Sequence, residues 1–155
     1  TAAVCALSRA AGANGMVWGQ ELDLAFEEKP ATAEELREVH RNKTGMLINA
    51  AAQLGAVAAS ADDIQRQAIA RYAFSVGLVF QIILDVTATA QQLGKPIGSD
   101  AANGKTTFVT LHGVERSRGI AQELTDGACG VLRAAFGGRA QFLETLAASL
   151  LERNQ

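Results

Sequence analysis

The chain has 155 residues, enough for one domain with a sizeable core, and its composition is 48% hydrophobic with only 5% aromatic residues. A formal net charge of −2 gives no general basic field for nucleic acid or an anionic membrane surface. No run of ~18 apolar residues lacks charged or polar breaks, so no membrane span is expected. Cys5 and Cys129 are too few for a disulfide framework or a zinc site, which favours a reducing, cytoplasmic compartment.

Helical patterns dominate the first part of the chain, because alanine and leucine are abundant and only two prolines occur. A first helix is predicted over residues 1–11 and a second over 16–26. Thr32 is followed three residues later by Glu35, which is the spacing of a capping box. The helix that begins there is predicted to run to about residue 59.

Further helices are predicted over residues 62–89, 105–113, 115–136 and 140–152. The acidic pair Asp62-Asp63 is interpreted as the cap and the favourable negative charge at a helix start, rather than as a metal site. Residues 91–104 contain three glycines and a proline and are predicted to be a loop. Residues 106–110 taken alone would also fit a strand. The whole pattern predicts an all-α fold of five to seven helices without a sheet.

Several segments combine lysines, a glutamine and carboxylates with glycines. Lys43-Thr44-Gly45 lies within the long predicted helix. The other segments, in chain order, are Gly15-Met16-Val17-Trp18-Gly19-Gln20 with Asp23, Phe80-Gln81-Ile82-Ile83-Leu84-Asp85, Leu93-Gly94-Lys95-Pro96-Ile97-Gly98-Ser99-Asp100, and Asn103-Gly104-Lys105-Thr106-Thr107. A Ser/His/Asp set and a Gly-x-x-x-x-Gly-Lys loop are both lacking, so these segments carry the chemical interpretation.

Together the segments resemble the C-terminal half of the trans-isoprenyl (polyprenyl) diphosphate synthases, the farnesyl and geranylgeranyl diphosphate synthase family. The resemblance covers the chain from about residue 12 to its end and is most specific over 95–107. It implies a partial isoprenoid (terpenoid) synthase helical bundle, with residues 1–155 as the C-terminal half of one domain. It also implies a homodimer and a Mg²⁺-dependent condensation of isopentenyl diphosphate with an allylic diphosphate, giving farnesyl or geranylgeranyl diphosphate and pyrophosphate.

The resemblance also assigns roles to single residues. Asp85 matches the last aspartate of a metal-binding motif, and Asp100 matches a loop aspartate near the metal cluster. Gln20 and Asp23 match residues near the site, although a helix-surface role is equally open. His40 is interpreted as structural, joining helices through a hydrogen bond. The residues that would handle the allylic diphosphate are Lys43, Thr44, Gln81, Lys95 and Lys105.

The chain departs from the family pattern in two ways. Members read Phe-Gln, about two residues, then Asp-Asp-x-x-Asp, and here two of the three aspartates are absent. Removing three residues turns the rest of a helix by only ~60°, so Gln81 and Asp85 still share a face. The N-terminal half of the family, with its first aspartate motif and the basic residues for isopentenyl diphosphate, is also absent.

Two interpretations of these departures remain open. In the first, the residues belong to a longer, ordinary synthase. In the second, the chain is a noncatalytic helical subunit that partners and modulates an active synthase. The first is preferred because the rest of the diphosphate pocket is intact.

Overall fold

The computed structural model describes residues 2–27, 29–93 and 105–153, and within these ranges all regular structure is helical, as predicted. The α-helices are α1 (Ala2–Ala11), α2 (Met16–Ala25), α3 (Ala33–His40), α4 (Met46–Ala58), α5 (Asp63–Leu93), α6 (Phe108–His112), α7 (Val114–Phe136) and α8 (Gln141–Leu151). A π turn (Arg41–Gly45) joins α3 to α4, and a 3₁₀ turn (Gly137–Ala140) precedes α8.

The helix starts follow the local chemistry of the sequence. Thr32 caps α3 by accepting a hydrogen bond from the Glu35 N–H at 3.2 Å, and the Glu35 carboxylate accepts from the Thr32 N–H at 2.7 Å. Asp62 and Gln65 form the same reciprocal pair at the start of α5. Both predicted capping arrangements are therefore confirmed.

Two features differ from the predicted elements, and the helix predicted over 105–113 is present as the shorter α6. The π turn divides the helix predicted over 32–59, so the described residues contain eight α-helices rather than five to seven. Helix α5 continues to Leu93, past the predicted end near residue 89. Residues 106–110 do not form a strand, because the Thr107 hydroxyl accepts a hydrogen bond from the Thr110 N–H at 3.1 Å and starts α6.

Helix α5 is the centre of the fold, packed against α4, α6, α7 and α8. One half of the core surrounds Ile69, Tyr72 and Val76, and the other surrounds Val79 and Ile82. Burying side chains of this size contributes about 1.5–3 kcal/mol each, so these contacts hold α5 between its neighbours. The Tyr72 hydroxyl donates a 2.8 Å hydrogen bond to the Leu143 carbonyl, which satisfies the polar end of this buried ring.

The same helix meets a length-and-composition criterion for crossing a membrane over Asp63–Thr89, which the sequence reading did not anticipate. Half of its most apolar stretch is buried inside the bundle. The core helix of a helical domain meets the criterion equally well, so the finding is weak evidence for a span.

Candidate functional site

The π turn is held between two helices by close backbone contacts. Helix α2 crosses it at Gly19, where a β-carbon would lie 2.1 Å from the Lys43 nitrogen. Helix α5 crosses it at Gly77, where a β-carbon would lie 3.0 Å from the Gly45 Cα. Only glycine allows the approach at Gly19, whereas a β-carbon at Gly77 would force its neighbour to shift slightly. π turns often occur at functional sites. Asp23, one helical turn after Gly19, therefore lies beside Lys43.

Asp23 joins two lysines from distant parts of the chain. Lys43 Nζ donates to Asp23 Oδ2 at 2.5 Å, and Lys105 Nζ donates to Asp23 Oδ1 at 2.8 Å. The Asp23 side chain is 13% exposed, whereas those of Lys43 and Lys105 are 38% and 44% exposed. Glu27 adds a weaker contact, 3.8 Å from Lys105 Nζ. The result is a lysine pair (Lys43 and Lys105) that is partly exposed to solvent and held by one less exposed carboxylate.

Two hydrogen bonds fix the segment that directly follows Lys105. The Ala31 N–H donates to Thr106 Oγ1 at 2.9 Å, which ties the segment to the start of α3. The Phe108 N–H donates to Asp85 Oδ2 at 3.0 Å, which ties the first residue of α6 to α5. In each case a side-chain oxygen satisfies a backbone N–H donor that has no partner in a helix.

Gln81 completes the site from α5. Its amide Nε2 donates a 2.7 Å hydrogen bond to Thr44 Oγ1, so the α5 side chain contacts the π turn one residue after Lys43. The hydroxyl proton of Thr44 remains available as a donor. A bound anion near the lysine pair could therefore also meet the Thr44 hydroxyl.

The ionisation of the buried groups follows their surroundings. Burial raises the pKa of Asp23, but the hydrogen bonds and charges of Lys105 and Lys43 outweigh burial and hold that pKa below its usual value. Burial lowers the pKa of His40 to about 4; Asp23 opposes this shift, and Lys43 and Lys105 reinforce it. Burial raises the pKa of Asp85, against the Phe108 N–H and the charge of Lys105. At neutral pH the site therefore contains a charged Asp23 and a neutral His40.

The structure brings four of the proposed residues together: Lys43, Thr44, Gln81 and Lys105. Gln20 is partly buried on α2, three residues before Asp23, without a side-chain hydrogen bond among the described residues. Lys95 and Asp100 lie outside the described residues, and their roles stay predictions.

Other features of the site were not foreseen in this form. His40 packs through its ring, stacked on Phe108 with centroids 5.8 Å apart, and the described residues give its Nε2 no partner in place of the expected hydrogen bond. Asp23 lies at the centre of the site rather than at its edge. The sequence signals for this position were the family segment that contains Gln20 and Asp23 and the glycine at Gly19, on the same helix face as Asp23.

The carboxylates of the described residues do not form a magnesium site by themselves. Across residues 2–27, 29–93 and 105–153 no three His, Cys, Asp or Glu side chains converge in a way that could hold a metal ion. Asp85 Oδ2 already accepts a hydrogen bond from the Phe108 N–H. Mg²⁺ commonly takes one or two protein carboxylates and completes its shell with water and substrate oxygens. Asp85 can contribute one ligand to such a shell.

Comparison with known proteins identifies what this chain is similar to. A family model described as polyprenyl synthetase matches residues 3–130. The farnesyl diphosphate synthase of Escherichia coli (strain K12) is 41% identical over 157 residues, covering 96% of this chain and 52% of the relative. That of Micrococcus luteus is 44% identical over 115 residues, covering 72% and 40%. The chain thus spans about half the length of the curated relatives it matches.

Solved structures agree with these matches. An FPP/GFPP synthase from Zymomonas mobilis, in its apo form, superposes with a TM-score of 0.83 at 31% identity, over 96% of this chain and 49% of that one. A geranyltransferase from Helicobacter pylori, complexed with magnesium and isoprenyl diphosphate, gives a TM-score of 0.74 at 31% identity, over 97% and 50%.

Proposed function

The chain belongs to the polyprenyl synthetase family, and from that membership we propose that its lysine pair binds the diphosphate group of an allylic prenyl diphosphate. The observation that carries this proposal is the convergence of Lys43 and Lys105 on the two oxygens of Asp23. Ammonium groups gathered in this way are close enough to contact neighbouring oxygens of one diphosphate. The partly exposed positions of both lysines leave room for an anion on the solvent side.

The proposed parent activity is head-to-tail prenyl transfer. The bond between the allylic carbon and its diphosphate oxygen breaks, the double bond of isopentenyl diphosphate attacks that carbon, and a proton is then lost. Lys43 and Lys105 stabilise the charge that develops on the departing pyrophosphate. Gln81 holds Thr44 so that its hydroxyl can orient the same group. The resemblance adds Lys95 to this set, with Gln20 and Asp100 close to it.

Magnesium, isopentenyl diphosphate and a second copy of the chain complete the proposal. Mg²⁺ bound with the diphosphate supplies further charge neutralisation, with Asp85 as one protein ligand. The magnesium and isoprenyl diphosphate in the Helicobacter pylori structure support the joint binding of metal and diphosphate; the role of Asp85 rests on the resemblance. The same proposal includes condensation with isopentenyl diphosphate, homodimer formation and a cytoplasmic location. These three parts rest on family membership and not on contacts among the described residues.

Titration calorimetry with geranyl diphosphate and Mg²⁺ tests the binding proposal. The double variant Lys43→Ala/Lys105→Ala should weaken binding by on the order of 100-fold, since two charge-assisted hydrogen bonds of partly exposed lysines contribute about 1.5 kcal/mol each, the lower end of their usual range. Arg139→Ala removes one positive charge from an exposed position on the 3₁₀ turn and serves as the control. Binding that survives in the double variant would contradict the proposal.

A noncatalytic partner subunit is the second candidate function. The state of Asp85, the one described carboxylate proposed as a metal ligand, favours this candidate. Burial raises the pKa of Asp85, and its Oδ2 already accepts a hydrogen bond. A protein of this kind should give no product from an allylic diphosphate, isopentenyl diphosphate and Mg²⁺, and it should co-purify with a complete synthase. An intact mass well above that of 155 residues, with turnover, would support the catalytic proposal instead.

A further inference from the structure

We infer that Asp23 is a positioning residue of this site, whose carboxylate holds the ammonium groups of Lys43 and Lys105 together so that a diphosphate meets an assembled pair. This inference rests on the proposed diphosphate-binding function and adds a residue that acts on the ligand only through the two lysines. A carboxylate repels a diphosphate, and both oxygens of Asp23 already accept from lysines, so Asp23 acts on the ligand through those lysines.

The first support is the geometry of the bridge. Each oxygen of Asp23 accepts from a different lysine, at 2.5 and 2.8 Å, so the carboxylate is shared between the two cations. Two ammonium groups this close repel each other, and a negative charge between them offsets that repulsion. Without Asp23, the lysine pair would separate into solvent.

The second support is the contrast in exposure between Asp23 and the two lysines. Asp23 is 13% exposed and lies one turn after Gly19, where α2 touches the backbone of Lys43. The lysines are more than a third exposed, with long side chains that lose much rotamer freedom when a ligand fixes them. A carboxylate on a rigid helix restricts those side chains before the ligand arrives, which improves affinity through preorganisation.

The charge balance makes the inference distinct from simple electrostatics. The lysine pair brings two positive charges, and Asp23 and the more exposed Glu27 bring two negative ones. If net charge alone decided affinity, removing the charge of Asp23 would tighten anion binding. Positioning predicts the opposite result, so the sign of the change decides between them.

The test measures the binding of inorganic pyrophosphate to the full chain by calorimetry at fixed ionic strength. Asp23→Asn should weaken binding about tenfold relative to the unchanged chain, equivalent to about 1.4 kcal/mol. In a Lys105→Met background the same substitution should cost about threefold or less, because one of the two lysines it positions is gone. Asp126→Asn, an exposed aspartate on α7, is the control for losing one negative charge. Asp23→Glu should recover part of the affinity.

A measurement on the ligand-free chain distinguishes the loss of lysine positioning from a failure to fold. The ¹⁵N signals of the Lys43 and Lys105 ammonium groups should show hydrogen-bonded, slowly exchanging protons in the unchanged chain and should lose them in Asp23→Asn. The inference is overturned if these signals do not change, or if Asp23→Asn binds pyrophosphate as well as or better than the unchanged chain. It is also overturned if Asp23→Asn weakens binding equally with and without Lys105→Met. These outcomes contradict the inference alone when the unchanged chain binds pyrophosphate. An unchanged chain that binds no pyrophosphate contradicts the proposed function as well.

Discussion

Gly19 of α2 lies directly against the backbone of Lys43, where a β-carbon would be 2.1 Å from the Lys43 nitrogen and 2.6 Å from its Cα. The neighbouring atoms are backbone, so they cannot rotate away as a flexible side chain could. This contact sets the distance between α2 and the π turn. It therefore also sets the distance between Asp23 and Lys43, whose charged atoms are 2.5 Å apart.

Gly19→Ala should destabilise the fold by about 1–3 kcal/mol or more, because α2 must move away from the π turn. It should also weaken pyrophosphate binding by displacing Asp23. Gly130→Ala on α7 is the matched control, since a β-carbon there meets no atom within 4 Å; it should be neutral or stabilising by about 0.5–1 kcal/mol. Urea unfolding measures both. Equal effects of the two substitutions would show that the contact is unimportant.

The Gln81–Thr44 hydrogen bond should appear as a coupling energy. Gln81→Met and Thr44→Val each remove one partner with little change in shape, and the double variant should show an interaction of about 0.5–1.5 kcal/mol in a double-mutant cycle. Unfolding and geranyl diphosphate binding should both be measured. Thr145→Val is the control, because the Thr145 hydroxyl donates only to the Gln141 carbonyl of its own helix. If the effects of the two single substitutions simply add in the double variant, the hydrogen bond does not couple the two residues.

Asp85 should tolerate asparagine better than alanine. The asparagine carbonyl can still accept from the Phe108 N–H, which Asp85 now binds at 3.0 Å. Alanine leaves that donor without its acceptor, at a cost of about 1–3 kcal/mol. Because burial raises the pKa of Asp85, the loss of its charge in Asp85→Asn should cost little stability at neutral pH. Unfolding of both variants tests this.

The two Asp85 variants also test its metal role. Asp85→Asn should lose part of the Mg²⁺-dependent component of diphosphate binding while keeping its stability. An Asn variant as unstable as the Ala variant would contradict the role of Asp85 in anchoring α6. An unchanged Mg²⁺ dependence would remove Asp85 from the proposed metal ligands.

The sequence was sufficient for features that depend on near neighbours. The capping box of α3 and the aspartate cap of α5 require only residues three apart, and both are present as predicted. The lysine and threonine of the π turn were recognised as a motif. The π turn itself was not, because helical periodicity is nearly the same on either side of one widened turn.

The resemblance placed Asp23 near the site, but its bridge between Lys43 and Lys105 depends on tertiary packing and could not be seen in the sequence. The segment that follows Lys105 is held in place by two long-range hydrogen bonds, from the Ala31 N–H to Thr106 and from the Phe108 N–H to Asp85. A carboxylate on a helix face looks the same in sequence whether it faces solvent or two lysines. Close approach at Gly19 is likewise visible only once α2 has docked.

Acidification should destabilise the fold through His40. Its pKa is about 4 in the folded chain and about 6.5 when unfolded, so below pH 6.5 the unfolded chain takes up a proton that the fold does not accept. Stability from this residue is complete above pH 6.5 and is lost as the pH falls toward 4, by at most about 1.4 kcal/mol per pH unit. His40→Phe keeps a ring against Phe108 and removes the titration.

The difference between the unfolding free energies of the unchanged chain and His40→Phe, measured from pH 7 to pH 4, isolates this effect. Other groups titrate alike in both proteins and cancel; Asp85, whose raised pKa favours the fold on acidification, is one of them. A constant difference across this range would contradict a buried neutral His40. The charge of Lys105 also lowers the pKa of His40, so Lys105→Met should reduce the stability that is lost at pH 5. That coupling would link the stability of the core to the lysine pair.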